Sequence, residues 1–154
     1  MLVGEYRPFG DDFDFFPRLP SHVRTWQRCK HSGMDAGDPR WPGRWHLGDG
    51  TLCKLGSGMN VLVQEAVLEG YNPLYLLGCD VGFVPGHGGT HFAKDYYPAA
   101  QVTTPEGADE RNRTLLAMHQ VIKRECDARG IQVFNATPGG SLEVYPRVSL
   151  KDLK

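Results

Sequence analysis

Gly56-Ser57-Gly58-Met59-Asn60-Val61-Leu62-Val63-Gln64-Glu65-Ala66-Val67-Leu68-Glu69-Gly70 runs straight into Tyr71-Asn72-Pro73-Leu74-Tyr75-Leu76-Leu77-Gly78-Cys79-Asp80, and the reading of these two pieces decides the fold. In the first, apolar residues fall at Met59, Leu62, Val63, Ala66 and Val67 and reach Gly70, which is one face of an α-helix. Ser57 is placed to cap the helix start, and Gly70 to end it, with Asn72-Pro73 beyond. In the second, Leu74 to Cys79 is a continuous apolar run bounded by Pro73 and Asp80. Such a run predicts a strand buried on both faces, as parallel strands are.

Outward from this stretch the arrangement repeats. Leu115, Met118, Val121, Ile122 and Cys126 form a helical stripe within Asp109 to Arg129, Gly130 closes it, and Ile131-Gln132-Val133-Phe134-Asn135 reads as the next strand. Two helix–Gly–strand units in series predict crossovers and a parallel sheet. The expected fold class is therefore α/β, Rossmann-like, with flanking helices and a loop-rich first third. Between the units, Val81 to Ala108 is rich in glycine and proline and has no sustained period, so it reads as a loop. It leaves the carboxyl end of the Leu74–Cys79 strand, where open α/β sheets bind ligands, and loops of that length are usually functional or mobile.

Residues 1–55 read as an irregular segment, and 56–154 as the helix–strand module of a single domain spanning 1–154. Phe9, Phe13, Phe15 and Phe16 interleave with acidic residues, and Trp26, Trp41 and Trp45 follow among prolines. Aromatics in such a segment are expected as anchors on a neighbouring core, with a ligand-covering flap as the alternative. Arg44 to Leu47 reads as a short strand returning through Thr51-Leu52-Cys53 as a hairpin. The tail from Val148 to Lys154 reads as a final helical turn.

A length of 154 residues suits one domain with a real core. The 17 basic and 18 acidic residues nearly cancel, which gives no electrostatic case for nucleic acid or an anionic membrane as a partner. No apolar run approaches the roughly 18–20 residues that a membrane span needs, and Met1 to Arg7 lacks the pattern of a secretion signal. Cys29, Cys53, Cys79 and Cys126 are scattered, with no C-x-x-C pair. Buried reduced thiols, a cytoplasmic location and no structural disulfide are the expectation.

The candidate chemistry gathers at the ends of these elements. At Gly56-Ser57-Gly58, small residues admit a ligand close to the backbone, and amide groups at a helix start attract phosphate or carboxylate. Gly78-Cys79-Asp80 puts a carboxylate at the strand end, where it can hold a hydroxyl, a base or a metal, or cap the loop by an Asx-turn. His87-Gly88-Gly89-Thr90-His91 offers a general base or phosphate donor, with His91 the better candidate. A metal there needs a third ligand such as Asp80 or Asp95, and no metal is required. Lys94, Tyr96 and Tyr97 could join the same pocket, and Asn135 to Gly140 opens on the same sheet edge. Arg111, Arg113 and Lys123 read as a solvated face, and His119 is given no role.

The ordered series Gly56-Ser57-Gly58, Gly70 to Asp80, Gly89-Thr90-His91 and Asn135-Ala136-Thr137-Pro138-Gly139-Gly140 resembles the MptE-like 6-hydroxymethylpterin diphosphokinase family. More distantly it resembles the bacterial sialyltransferases of the same Rossmann-like type. The resemblance covers about Gly56 to Leu153. It implies a transferase using a nucleotide-activated donor, such as a CMP-sugar or ATP. Gly56, Ser57, Gly58, Gly78, Asn135 and Thr137 would then contact the nucleotide, His91 would be the base, and Asp80 would match the strand-end aspartate. The phosphate loop that opens those families has no counterpart before Gly56. A non-catalytic nucleotide-binding module is accordingly the alternative, and a structural or self-associating protein a further one. The expected partner is a small nucleotide ligand, with a homo-oligomer possible.

Overall fold

The computed structural model describes residues 2–3, 24–25, 27–28, 38, 43–45, 47–48, 51–82 and 104–153. In chain order the elements are β1 (Leu2–Val3), β2 (Arg24–Thr25), β3 (Gln27–Arg28), β4 (Thr51–Leu52), α1 (Gly58–Leu68), β5 (Leu74–Leu76), α2 (Pro105–Asp127) and β6 (Val133–Asn135). A 3-10 turn at Leu150–Asp152 follows, in the tail where a helical turn is expected. The fold is α/β, and every described strand pair is parallel: β1 with β2, β3 with β4, β5 with β6.

The two helix–Gly–strand units form as the periodicity predicts. The hydroxyl of Ser57 accepts from the Met59 amide at 3.2 Å and starts α1. Gly70 and Gly130 both adopt the left-handed backbone (φ 81° and 70°) that ends a helix and that a Cβ would oppose. β5 and β6 then pair in the register Leu74–Val133, Tyr75–Phe134 and Leu76–Asn135. Asn72 ties the turns of the two units together, donating from Nδ2 to Gly130 O at 3.2 Å and accepting from Gln132 N at 3.0 Å. Beyond β6, Arg147 bridges to Asn135 in parallel.

Several expectations are corrected. β5 stops at Leu76 rather than Cys79, because Gly78 turns the chain with φ 73°. It is not buried on both faces: Leu74 and Leu76 face the core, while Tyr75 is 44% exposed and stacks on Phe134 at 5.4 Å. α2 begins four residues before Asp109, since Thr104 caps its start and Pro105 supplies a pre-set first turn. The 44–53 hairpin does not form; β4 pairs in parallel with β3 instead. In α1, Leu62 is 49% exposed, whereas the polar Asn60 and Gln64 are buried.

Those two amides explain the inversion. Asn60 and Gln64 lie one turn apart, and their Nδ2 and Nε2 both donate to the Cys53 carbonyl, at 2.6 and 2.8 Å. Gln64 Oε1 accepts from the Cys53 amide at 3.2 Å. Asn60 Oδ1 also accepts from the Trp45 indole at 3.2 Å. The helix thus buries polar atoms where it holds the chain leaving β4, and each buried group has a partner. Trp45 is an anchor in the core, as expected for an aromatic of the first third, while Trp26 and Trp41 lie outside the described residues.

The core gathers Trp45, Leu55, Val63, Leu74 and Leu76 with Met118, Val121, Ile122 and Cys126 of α2, and Leu142 and Tyr145 of the tail. Cys79 and Cys126 are buried free thiols, as expected. Cys53 is disulfide-bonded, which corrects the expectation of no disulfide. A chain without a paired cysteine motif carries no local signature of such a bond. Among the described residues no helix is long and apolar enough to cross a membrane.

Candidate functional site

The Gly-Ser-Gly turn and the Gly-Cys-Asp turn border one cavity. Ser57 and Met59 from the start of α1, and Gly78, Cys79, Asp80, Val81 and Gly82 from the chain leaving β5, line a cavity of about 220 Å³. Leu115 and His119 from α2 complete the lining among the described residues. Parallel pairing is the cause: it brings the carboxyl end of β5 and the amino end of a helix to one side of the sheet.

Both turns are conformationally held. Leu55 (φ 46°) and Val81 (φ 41°) are the non-glycine residues of the described chain with left-handed backbone, one beside each turn. For a β-branched valine that backbone is an outlier, and such positions cost on the order of 1–3 kcal/mol and persist only where the surroundings enforce them. Here the enforcement is visible. The Ser141 amide donates to Asp80 O at 2.7 Å and to Val81 O at 3.0 Å. The Cys79 amide donates to Thr137 Oγ1 at 2.9 Å. Arg147 holds the opposing turn, donating to the carbonyls of Thr137, Gly139 and Gly140 at 3.1, 2.7 and 3.0 Å. Glu143 pairs with Arg147 at 2.6 Å, and that hydrogen bond draws its carboxyl below the usual range.

The candidate site residues therefore separate. Ser57, Gly78 and Asp80 are brought together on the cavity, and Gly56 and Gly58 flank Ser57 in the same turn. An added Cβ at Gly58 would meet nothing within 4 Å, so space lies in front of this helix start. Asn135 and Thr137 are not in the lining. Both are buried and committed to the backbone: Asn135 Nδ2 donates to Leu142 O at 2.9 Å, and its Oδ1 accepts from the Thr137 amide at 3.0 Å. Their observed part is to fix the loop that braces Asp80. His91, and with it His87, Lys94, Asp95, Tyr96 and Tyr97, lies outside the described residues. Among the described residues no group of three His, Cys, Asp or Glu is placed to hold a metal.

One lining residue carried no expectation. His119 is 3% exposed, and burial pushes its pKa down to about 4, so the ring is neutral near pH 7. The Tyr145 hydroxyl donates to His119 O at 3.0 Å and lies 3.1 Å from His119 Nδ1. A signal for it existed. His119 sits four residues after Leu115 and three before Ile122, inside the apolar stripe of α2. Its neighbour across the cavity, Cys79, has its thiol pushed up to about 11, by burial first and by Asp80 second. That sulfur is a protonated wall rather than a nucleophile.

No protein-family model, curated protein or solved structure matches this chain.

Proposed function

We propose that this cavity is the binding site for a nucleotide-like ligand, and that the chain is a transferase drawing on a nucleotide-activated donor, glycosyl or diphosphoryl. The observation that supports the reading is the meeting of Ser57, at a helix start, with Gly78 and Asp80, at a strand end, around one space. Helix-start amides favour anionic groups, and a strand-end carboxylate holds hydroxyls or assists proton transfer. In this reading Gly56, Ser57 and Gly58 admit the nucleotide, Asp80 orients the reacting end, and His91 acts as base. The Rossmann-like arrangement, and the likeness to MptE-like diphosphokinases and bacterial sialyltransferases, belong to the same proposal.

A cytoplasmic location is also part of it. The free thiols of Cys79 and Cys126 favour that placement, and the disulfide at Cys53 weighs against it. Self-association is left to sizing by light scattering.

A non-catalytic binding module of the same fold is the second reading. It is favoured by Asn135 and Thr137, whose polar groups are spent inside the protein and so reduce the reactive groups at the sheet edge. A thermal-shift panel of CMP, UDP and ATP tests binding: stabilisation by at least one is expected, and no shift at millimolar concentration contradicts the site. Release of product from CMP-sugar or ATP, lost in His91→Ala with binding kept, supports the transferase. Binding without turnover, unchanged in His91→Ala, supports the module.

A further inference from the structure

We propose that His119 is a ligand-contact residue of this cavity, its Nε2 accepting a hydrogen bond from a sugar hydroxyl while the Asp80 carboxylate accepts from another. The inference rests on the nucleotide-site reading above and sharpens which part of the ligand this space holds.

The Tyr145 hydroxyl has one proton and gives it to His119 O at 3.0 Å. Toward Nδ1, 3.1 Å away, the same oxygen is therefore the acceptor, and Nδ1 carries the ring proton. Nε2 is left with its lone pair. Among the described residues no hydrogen bond is made to it, although the residue is only 3% exposed and lines the cavity. A buried acceptor without a partner is unfavourable, and a ligand donor would relieve it. Burial also holds the ring neutral, so it cannot serve as a cation.

The rest of the lining decides the ligand chemistry. It contains the carboxylate of Asp80 and no lysine or arginine among the described residues. An anionic carboxylate and a neutral acceptor match hydroxyl donors, and they leave a phosphate to the helix start on the other side of the lining. The Ser57 hydroxyl already caps the Met59 amide, so one helix-start donor is taken. The volume of about 220 Å³ lies below the roughly 300–1,000 Å³ of drug-sized sites, and it suits a sugar better than a whole activated donor. Leu115 and Met59 supply the apolar wall against which a sugar face can lie.

Calorimetric titration of the intact chain with uridine, 2′,3′-dideoxyuridine, glucose and inorganic phosphate tests this, alongside ¹⁵N spectra of the His119 ring. Uridine is expected to bind at least tenfold more tightly than its dideoxy analogue and than phosphate. In His119→Phe that preference shrinks at least fivefold, and His119→Gln, which keeps an acceptor, restores part of it. The Nε2 resonance starts as an unprotonated nitrogen and moves on adding uridine, which a purely structural histidine would not show. Glucose binding with the same dependence on His119 supports the contact and assigns the hydroxyls to a transferred glycosyl group. Nucleotides that bind the wild type and His119→Phe equally, with Nε2 unmoved, overturn the inference and leave the site reading standing. If neither nucleosides nor nucleotides bind the wild type, both fall.

Discussion

The Cα of Asp80 lies where Gly140 leaves no room: a Cβ added to Gly140 would come within 2.7 Å of it, and closer still to the Asp80 carbonyl. Gly140 also has φ 72°, so its missing side chain is required twice, by its own backbone and by its neighbour's. The turn after β6 is thereby packed directly onto the segment that carries the cavity's carboxylate.

Gly140→Ala should therefore displace Asp80 rather than merely loosen a surface turn. Steric insertion and left-handed strain together predict a loss of about 1–3 kcal/mol in urea denaturation. Nucleotide affinity should fall in the same variant. Gly139→Ala is its control: its φ of 76° carries the strain, but its added Cβ would meet nothing within 4 Å. It should cost less and leave affinity nearer to wild type.

The buried amides of α1 give a second prediction. Gln64→Leu removes two bonds to the Cys53 backbone, one from its amide and one to its carbonyl, together with the bond from Gln64 Nε2 to Asn60 O. A cost of about 1–3 kcal/mol is expected, read from the urea midpoint. Leu62→Gln, on the exposed side of the same helix, should lie within about 0.5 kcal/mol of wild type.

His119 predicts a pH dependence. Its folded pKa of about 4 lies below the ordinary 6.5, so below pH 6.5 the unfolded chain binds the proton first. The contribution of the neutral ring to stability is whole above pH 6.5, declines as the pH falls toward 4, and levels off below. Denaturation midpoints at pH 7 and pH 5 should differ more in the wild type than in His119→Gln.

Cys79 and Cys126 should resist alkylation while the protein is folded. Both thiols are buried, and burial pushes each up to about 11, so little thiolate exists near neutral pH. Mass spectrometry after iodoacetamide at pH 7.5 should find both unmodified in the native protein and both modified in urea. Rapid native labelling of Cys79 would mean that the cavity wall is an accessible nucleophile.

Much of this arrangement was readable from local pattern. The 3.6-residue stripes, Ser57 as cap and Gly70 and Gly130 as stops are properties of a few consecutive residues, and they place both helix–strand units. The approach of Ser57 to Asp80 follows once the strands are parallel. The exposure of Tyr75 was not readable, because burial of a strand's second face depends on whether a helix covers it. Asn60 and Gln64 broke the apolar stripe of α1, since their partner is the Cys53 backbone, contributed from outside the helix. His119 is silent in the sequence for a related reason: a histidine in a helical stripe acquires meaning only from the cavity it borders. Thr137 and Asn135 invite a ligand role by type, and their hydrogen bonds are all internal because the loop they hold must brace Asp80.

The central claim is that Ser57, Gly78 and Asp80 line a nucleotide site. Backbone amide spectra of ¹⁵N-labelled protein, recorded during titration with CMP, UDP and ATP, test it most directly. Saturable shifts centred on Ser57–Met59 and Gly78–Gly82, extending to His119, are the predicted result. Spectra unchanged at millimolar nucleotide, or shifts confined to surfaces away from both turns, would contradict the account.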